Sequence, residues 1–185
     1  MEDFSHILDV GCGPKKTAGA WGIDHYQYPG VDQIVDLDQG PWPLPADTYE
    51  RIIASQVIEH VVSIPKFLEE IHRVGRDGAL VEFTTPHYTN KESWCDPTHR
   101  WHLASAWHQT FTERGNYLTE QLPAFEFIST KVSFRKNLLG RMGQLTVWLK
   151  GADWWEDHLA WTLLGHTVRT VLKIRKPQKA TVSNG

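Results

Sequence analysis

Two glycines and an acidic residue near the N-terminus have the types and spacing of a nucleotide-binding site. Gly11 and Gly13 follow an apolar run that starts at Ile7, and Asp24 ends a second strand-like run that starts at Trp21. Glycine lets the backbone approach a ligand closely, and a carboxylate can accept hydrogen bonds from both ribose hydroxyls. This order of strand, glycine turn, strand and acid predicts a site for a cofactor that contains adenosine.

The glycine turn itself argues against a dinucleotide. The run Gly11-Cys12-Gly13-Pro14-Lys15-Lys16 has a lysine where a dinucleotide fingerprint has its third glycine. Few residues separate this turn from the second strand, too few for a full helix whose N-terminus would face a pyrophosphate. A cofactor without phosphates therefore suits the site better than NAD.

The elements that would position these residues follow an α/β pattern. A helical period predicts one helix over residues 65–74, with Ser63 as its N-cap and Gly75 and Gly78 at its end. The run 49–55 predicts a strand buried on both faces. Strands linked by loops and helices imply parallel pairing. Apolar runs, and alternating apolar and polar residues in the last two cases, predict seven strands in all, at residues 6–10, 20–24, 33–38, 49–55, 79–85, 125–132 and 167–174.

Composition predicts one domain over residues 1–176, followed by a flexible tail over residues 177–185. The formal net charge of −3 gives no general attraction to nucleic acid. No apolar run approaches the ~20 residues of a transmembrane helix. The two cysteines fit a reducing cytoplasm better than a disulfide scaffold.

Four motifs, in order and in spacing, resemble those of class I S-adenosylmethionine-dependent methyltransferases. The motifs are Asp9-Val10-Gly11-Cys12-Gly13, then Asp24, Asp36-Leu37-Asp38, and Ser55-Gln56-Val57-Ile58-Glu59-His60. The match is to small bacterial members whose first loop is similar to G-C-G-P-x-K, and it covers residues 6–86. It implies a Rossmann-like α/β fold with a mostly parallel seven-stranded sheet and helices on both faces. The loop 86–102 also looks like a block in members linked to surface-polysaccharide and natural-product pathways.

The resemblance also implies cofactor contacts. The residues that match are Asp9, Gly11, Gly13, Asp24, Asp36, Leu37 and Gln56. The methionine part of S-adenosylmethionine would lie between Asp9, Gly11 and Gly13. Asp24 would hold the ribose hydroxyls. The adenine would lie beside Asp36 and Leu37, and Gln56 would lie near the transferred methyl group. We favour a structural role for the adjacent pair Glu59 and His60, since most such residues are structural.

A loop over residues 87–109 leaves the end of the fifth strand, where α/β sheets bind ligands, and is predicted to form the acceptor side. Three interpretations stay open. His99 or His87 acts as a general base that Asp96 orients; the side chains bind a divalent metal; or the segment that begins at Asp96 is a capped turn. The candidate metal ligands are His87, Asp96, His99 and His102.

A Trp-rich and Leu-rich insertion over residues 137–165 is predicted to be helical. It could be a lid over the acceptor, a homodimer surface or a membrane-facing amphipathic segment, and we favour the lid or the dimer surface. Substitution of Trp154 and Trp155 by alanine would test whether the insertion is a lid or a dimer surface.

The predicted function is transfer of a methyl group from S-adenosylmethionine to an oxygen or nitrogen of a small molecule or glycan, in the cytoplasm, without nucleic acid as a partner. Two alternatives remain: an S-adenosylmethionine-binding partner protein that has lost catalysis, and an NAD-type or nucleotide-sugar enzyme on a related fold.

Overall fold

The computed structural model describes residues 6–112 and 123–176, so the predicted tail at 177–185 lies outside the described residues. Seven strands form one sheet in the order β3-β2-β1-β4-β5-β7-β6. The strands from β3 to β5 pair in parallel, and β7 pairs antiparallel with β5 and β6. The strand bounds are β1 Ile7–Val10, β2 Trp21–Asp24, β3 Gln33–Ile34, β4 Tyr49–Ser55, β5 Gly75–Pro86, β6 Phe125–Phe134 and β7 Gly165–Ile174. The predicted mostly parallel seven-stranded sheet is confirmed.

Two of the strands differ most from their predicted lengths, the third and the fifth. The third is only Gln33–Ile34, because the Asp36 carboxylate accepts the Asp38 N–H at 3.0 Å and turns the chain. The fifth begins at Gly75, immediately after the preceding helix.

Five helices and one short 3₁₀ turn, Gly13–Lys15, complete the described chain. The helices are α1 Ile64–Val74, α2 Lys91–Cys95, α3 Gln109–Thr112, α4 Leu138–Lys150 and α5 Ala152–His158. The last two lie within the predicted helical insertion. In the ranges 6–112 and 123–176, none of these helices has the length and apolar content to cross a membrane.

Helix α1 covers one face of the sheet and begins as the sequence predicts. The Ser63 hydroxyl accepts the Lys66 N–H at 3.4 Å, and Pro65 occupies the first turn, where its missing N–H is not needed. All five apolar residues of its stripe are buried, and burial of each side chain stabilises the fold by about 1.5–3 kcal/mol. They are Ile64, Phe67, Leu68, Ile71 and Val74.

The opposite face of the sheet is partly exposed at β4. On β4, Ile53 is half-buried, and Arg51 and Ser55 on either side of it are exposed. Arg169 on β7 donates two hydrogen bonds of 2.6 Å to Glu82 on β5 across this face. The prediction that β4 is buried on both faces is therefore wrong. The physical reason is that the connection from β1 to β2 is too short for a helix.

Candidate active site

The glycine turn after β1 lies directly against the loop after β4. Gly11 and Gly13 have φ angles of +63° and +53°, which strain any residue with a Cβ. A Cβ on Gly11 would lie 2.2 Å from Cγ2 of Val57, so no larger residue fits there. The turn therefore sits beside the loop 56–60 at the carboxyl edge of the sheet.

Two buried carboxylates fix the shape of this turn. Asp9 accepts the Thr17 N–H at 2.6 Å, and Asp24 accepts the N–H groups of Gly13 and Tyr26, both at 2.9 Å. Each carboxylate oxygen has two lone pairs, so each Asp24 oxygen can still accept a ribose hydroxyl. The backbone thus orients Asp24 at the end of β2, where the resemblance places the ribose.

The other predicted cofactor residues lie at the same edge. Leu37 is half-buried against the core, and Asp36 beside it is exposed. Asp38 ties their loop to the loop after β4, because its carboxylate accepts the Val62 N–H at 2.7 Å. Gln56 follows β4 with a φ of +58°, a strained angle of the kind that clusters at functional sites. The structure thus places all seven predicted cofactor residues along strands β1 to β4 and their carboxyl ends.

A cleft of about 560 Å³ opens next to this edge. Gln56, His60, Asp96 and His99 are among the residues that line it. The structure therefore brings two of the predicted catalytic residues, Asp96 and His99, to the same cleft as the residue predicted to lie near the methyl group.

The tautomer of His99 follows from its hydrogen bond. Its Nδ1 lies 3.0 Å from the carbonyl oxygen of Ser93, which can only accept, so Nδ1 carries the proton. In the neutral ring Nε2 therefore carries the lone pair, and it lies 3.9 Å from a carboxylate oxygen of Asp96. A lone pair at this position can take a proton or bind a metal ion.

His60 is oriented in the same way through Thr98. The Thr98 hydroxyl donates its single proton to Asp96 at 2.6 Å, so it accepts from Nδ1 of His60 at 2.9 Å. His60 therefore also keeps its lone pair on Nε2. Burial, together with the nearby His99, lowers the pKa of His60 and favours the neutral ring. Asp96 additionally accepts the Thr98 N–H at 2.8 Å, so the capped turn predicted there is present.

Glu59 is a buried polar residue for which the sequence predicted a structural role. Its side chain is 1% exposed, and neither carboxylate oxygen meets hydrogen-bond geometry with a partner in the described part of the chain. Burial raises the pKa of Glu59, although the nearby Thr85 hydroxyl and His99 oppose the shift. Ligand atoms of Glu59, His60 and His99 lie within 4.8 Å of one another. The signal in the sequence was an acid next to a histidine, directly after a buried strand.

His87 is held in a different network, away from the cleft. Its Nε2 lies 2.8 Å from Glu156, which accepts the proton, and its Nδ1 accepts from the hydroxyl and the N–H of Thr89 at 2.8 and 3.2 Å. Both ring nitrogens are occupied, so His87 has no free lone pair for catalysis or for a metal. The structure does not bring His87 together with His99.

The remaining candidate, His102, stacks on Trp94 with ring centroids 3.6 Å apart, and its Nδ1 lies 2.9 Å from the Ser93 hydroxyl. It is not one of the residues that line the cleft. Cys12 in the glycine turn is not a nucleophile, because burial and the nearby Asp9 and Asp24 raise its pKa to about 11. His99 and Asp96 are thus the members of the predicted catalytic set that face the cleft.

Comparison with known proteins identifies the family of the chain. A family model described as a methyltransferase domain matches residues 2–125, more than half of the chain. No curated protein matches the sequence.

Solved structures share the fold. The YcgJ protein from Bacillus subtilis is 16% identical, with a TM-score of 0.56 and coverage of 92% of this chain and 92% of that chain. An S-adenosylmethionine-dependent methyltransferase from Mesorhizobium loti is 14% identical, with a TM-score of 0.55 and coverage of 90% and 89%. The [4+2]-cyclase SpnF is 15% identical, with a TM-score of 0.57 and coverage of 92% and 75%. At such identities the likeness concerns the fold alone, and the cyclase shows that this fold also serves other reactions.

Proposed function

This chain belongs to the methyltransferase domain family and is an S-adenosylmethionine-dependent methyltransferase, and from this premise we propose that it methylates an oxygen or nitrogen atom of a small molecule or glycan. The observation that carries the proposal is the shared cleft: Gln56, at the cofactor edge, and His99, with its free lone pair, line the same cavity. A volume of about 560 Å³ suits a small molecule or one or two sugar units.

The proposed reaction is an in-line displacement at the methyl carbon. An acceptor oxygen or nitrogen in the cleft attacks the methyl group as its bond to the sulfonium breaks, and S-adenosylhomocysteine leaves. Nε2 of His99 takes the proton that the acceptor loses. Asp96 faces His99 at 3.9 Å and stabilises the imidazolium that forms. We therefore assign His99 as the general base and Asp96 as a positioning residue, and leave His87 out.

Asp24→Ala tests the cofactor site. The substitution removes the acceptor of two ribose hydroxyls, and charge-assisted hydrogen bonds are worth about 1.5–3 kcal/mol. We expect the affinity for S-adenosylhomocysteine in calorimetric titration to fall roughly tenfold to a hundredfold. NAD serves as the parallel ligand and should not bind the wild-type chain.

Asp32→Ala is the matched control for this titration. Asp32 also accepts a backbone N–H near β2, from Gly22 at 2.7 Å, but it is not a predicted cofactor residue. Asp32 also pairs with Lys16 of the glycine turn at 2.5 Å, so its loss reports on the turn alone and should weaken the affinity much less than the loss of Asp24. Equal weakening by both variants would mean that Asp24 only shapes the turn, and tight binding of NAD would favour the dinucleotide alternative. Tight binding of S-adenosylhomocysteine with no methyl transfer to a panel of sugars, phenols and amines would favour the degenerate partner protein.

A divalent metal is the second candidate for the chemistry of the cleft. Glu59, His60 and His99 supply one carboxylate and two imidazoles, a donor set that suits zinc and other transition metals better than magnesium. A bound cation would compensate the buried carboxylate of Glu59, and it would hold a chelating acceptor. In this alternative His99 is a ligand and not a base. The other predicted ligands, His87 and His102, do not belong to the group.

Titration of cobalt(II) into the full chain separates the two candidates. Visible absorption bands of tetrahedral or five-coordinate cobalt, lost in Glu59→Gln but kept in Glu92→Gln, would establish the metal. Glu92 lines the same cleft but lies outside the donor group, so it is a matched control. Absence of these bands, with the wild-type chain folded, would leave His99 as the base.

The cytoplasmic setting stays part of the proposal, supported by the free thiols of Cys12 and Cys95.

A further inference from the structure

Helix α4 presents an apolar stripe to solvent. Leu138, Met142, Leu145 and Leu149 follow one another at spacings of four, three and four residues, so they share one face of the helix. Their exposed fractions are 74%, 48%, 54% and 60%. A soluble monomer rarely exposes so many large apolar side chains side by side, and such a patch marks an interaction site.

The stripe cannot turn inward, because glycines fix the opposite side of α4 against β6 and the turn that follows it. Gly140 and Gly143 are buried. A Cβ on Gly140 would lie 1.9 Å from the carbonyl oxygen of Arg135, and a Cβ on Gly143 would lie 2.5 Å from the ring of Phe134. The helix therefore packs through its smallest residues and leaves its largest ones outside. The Asn137 cap, which accepts the Gly140 N–H at 2.8 Å, holds this orientation.

Two strongly exposed tryptophans occur in the same part of the sequence as the stripe. Trp148 on α4 is 77% exposed, and Trp161, just beyond α5, is 69% exposed. Tryptophan has an apolar body with one polar N–H, and it is enriched where protein meets the boundary between lipid headgroups and acyl chains. Trp155 differs from them, because it is fully buried among Val132, Ala160 and Leu163.

The charge of this part of the sequence selects the partner. Residues 127–152 contain no aspartate or glutamate, although the whole chain has a net charge of −3 and the following helix α5 carries Asp153, Glu156 and Asp157. The same residues contain five cations: Lys131, Arg135, Lys136, Arg141 and Lys150. Arg135 forms an ion pair with Glu92 at 3.7 Å, and Lys150 lies 5.9 Å from the ring centroid of Trp154. A second copy of the chain would bring these cations towards each other, whereas an anionic surface would attract them.

We propose that α4 docks on an anionic membrane surface and lies in its plane, with the stripe from Leu138 to Leu149 inserted at the level of the headgroups. Apolar burial and attraction to anionic lipid act together in such interfacial helices. Neither α4 nor α5 contributes a residue to the lining of the acceptor cleft. This inference therefore stands apart from the proposed reaction, and it disfavours the prediction that the insertion is a lid.

The test is co-sedimentation of the full chain with vesicles of phosphatidylcholine alone and of phosphatidylcholine with about 30% phosphatidylserine. We expect binding to the anionic vesicles that weakens at high salt, and little binding to the neutral ones. The double variant Leu145→Gln with Leu149→Gln should weaken binding roughly tenfold or more, because it removes two inserted side chains.

The matched control is the double variant Ile34→Gln with Leu80→Gln. Both residues are exposed, apolar and distant from α4 in the sequence, with exposed fractions of 55% and 44%. Binding that survives in the control and is lost in the α4 variant supports the proposal. Equal loss in both, or no binding to anionic vesicles, overturns it. A dimer in sedimentation velocity that the α4 variant dissociates, without vesicle binding, overturns it in favour of a second copy as the occupant.

Discussion

Helices α1 and α4 both carry an apolar stripe, and the structure uses the two stripes in opposite ways. In α1 the stripe from Ile64 to Val74 is buried against the sheet, whereas in α4 the stripe from Leu138 to Leu149 is exposed. The difference lies on the other side of each helix. α1 turns exposed polar residues such as Lys66 and Glu69 to solvent, whereas α4 turns Gly140 and Gly143 to the protein. An apolar helical period therefore shows that a stripe exists, but not what it contacts.

Substitution of one leucine in each helix gives the largest expected contrast. Leu68→Ala in α1 should lower the free energy of unfolding by about 2–5 kcal/mol, because it removes a fully buried side chain and leaves a cavity. Leu145→Ala in α4 should change it by less than about 0.5 kcal/mol, since its side chain is 54% exposed. Urea unfolding of both variants measures the pair. A large loss for Leu145→Ala would show that α4 contributes to the core and would weaken the docking proposal.

The glycine turn after β1 follows the sequence prediction because it depends on local chemistry. Gly11 and Gly13 adopt positive φ angles, and Asp24 caps their turn, within a short stretch of chain. Such effects are readable from residue types and spacing. The approximate strand positions follow for the same reason, since most strands are short apolar or alternating runs.

The acceptor side could be predicted only in outline, because it depends on contacts between distant segments. The sequence singled out the histidines of the loop 87–109, but it could not show that His87 would pair with Glu156, 69 residues away. Nor could it show that His99 would meet Glu59 and His60 from the loop after β4. The partial exposure of β4 was missed in the same way, since an apolar run does not reveal whether a helix will cover it.

The two helical regions also differ in the contacts that attach them to the rest of the protein. The stripe of α1 is held by apolar burial, whereas α5, which contacts α4, is held through two consecutive residues, the buried Trp155 and the carboxylate of Glu156. Glu156 accepts the His87 ring proton and the Ser105 N–H, each at 2.8 Å. Burial alone would raise the pKa of Glu156, but these hydrogen bonds outweigh it and the pKa is lowered. A carboxyl group whose pKa is lowered in the folded state stabilises the fold at pH values above its ordinary pKa. This contribution is lost as the pH falls through the pKa of the folded state.

Glu156→Gln should therefore lower the free energy of unfolding by about 1–3 kcal/mol at pH 7, since hydrogen bonds to a charged group are lost. The gap between this variant and the wild type should close as the pH falls below the ordinary glutamate range, about pH 4.3. Glu69→Gln is the control, because Glu69 is exposed on α1, and it should follow the wild type at every pH. Urea unfolding at pH 7, 5 and 3.5 measures all three. A gap that stays constant with pH would mean that the Glu156 side chain stabilises α5 through packing, and the contrast between an apolar and a polar attachment would then fail.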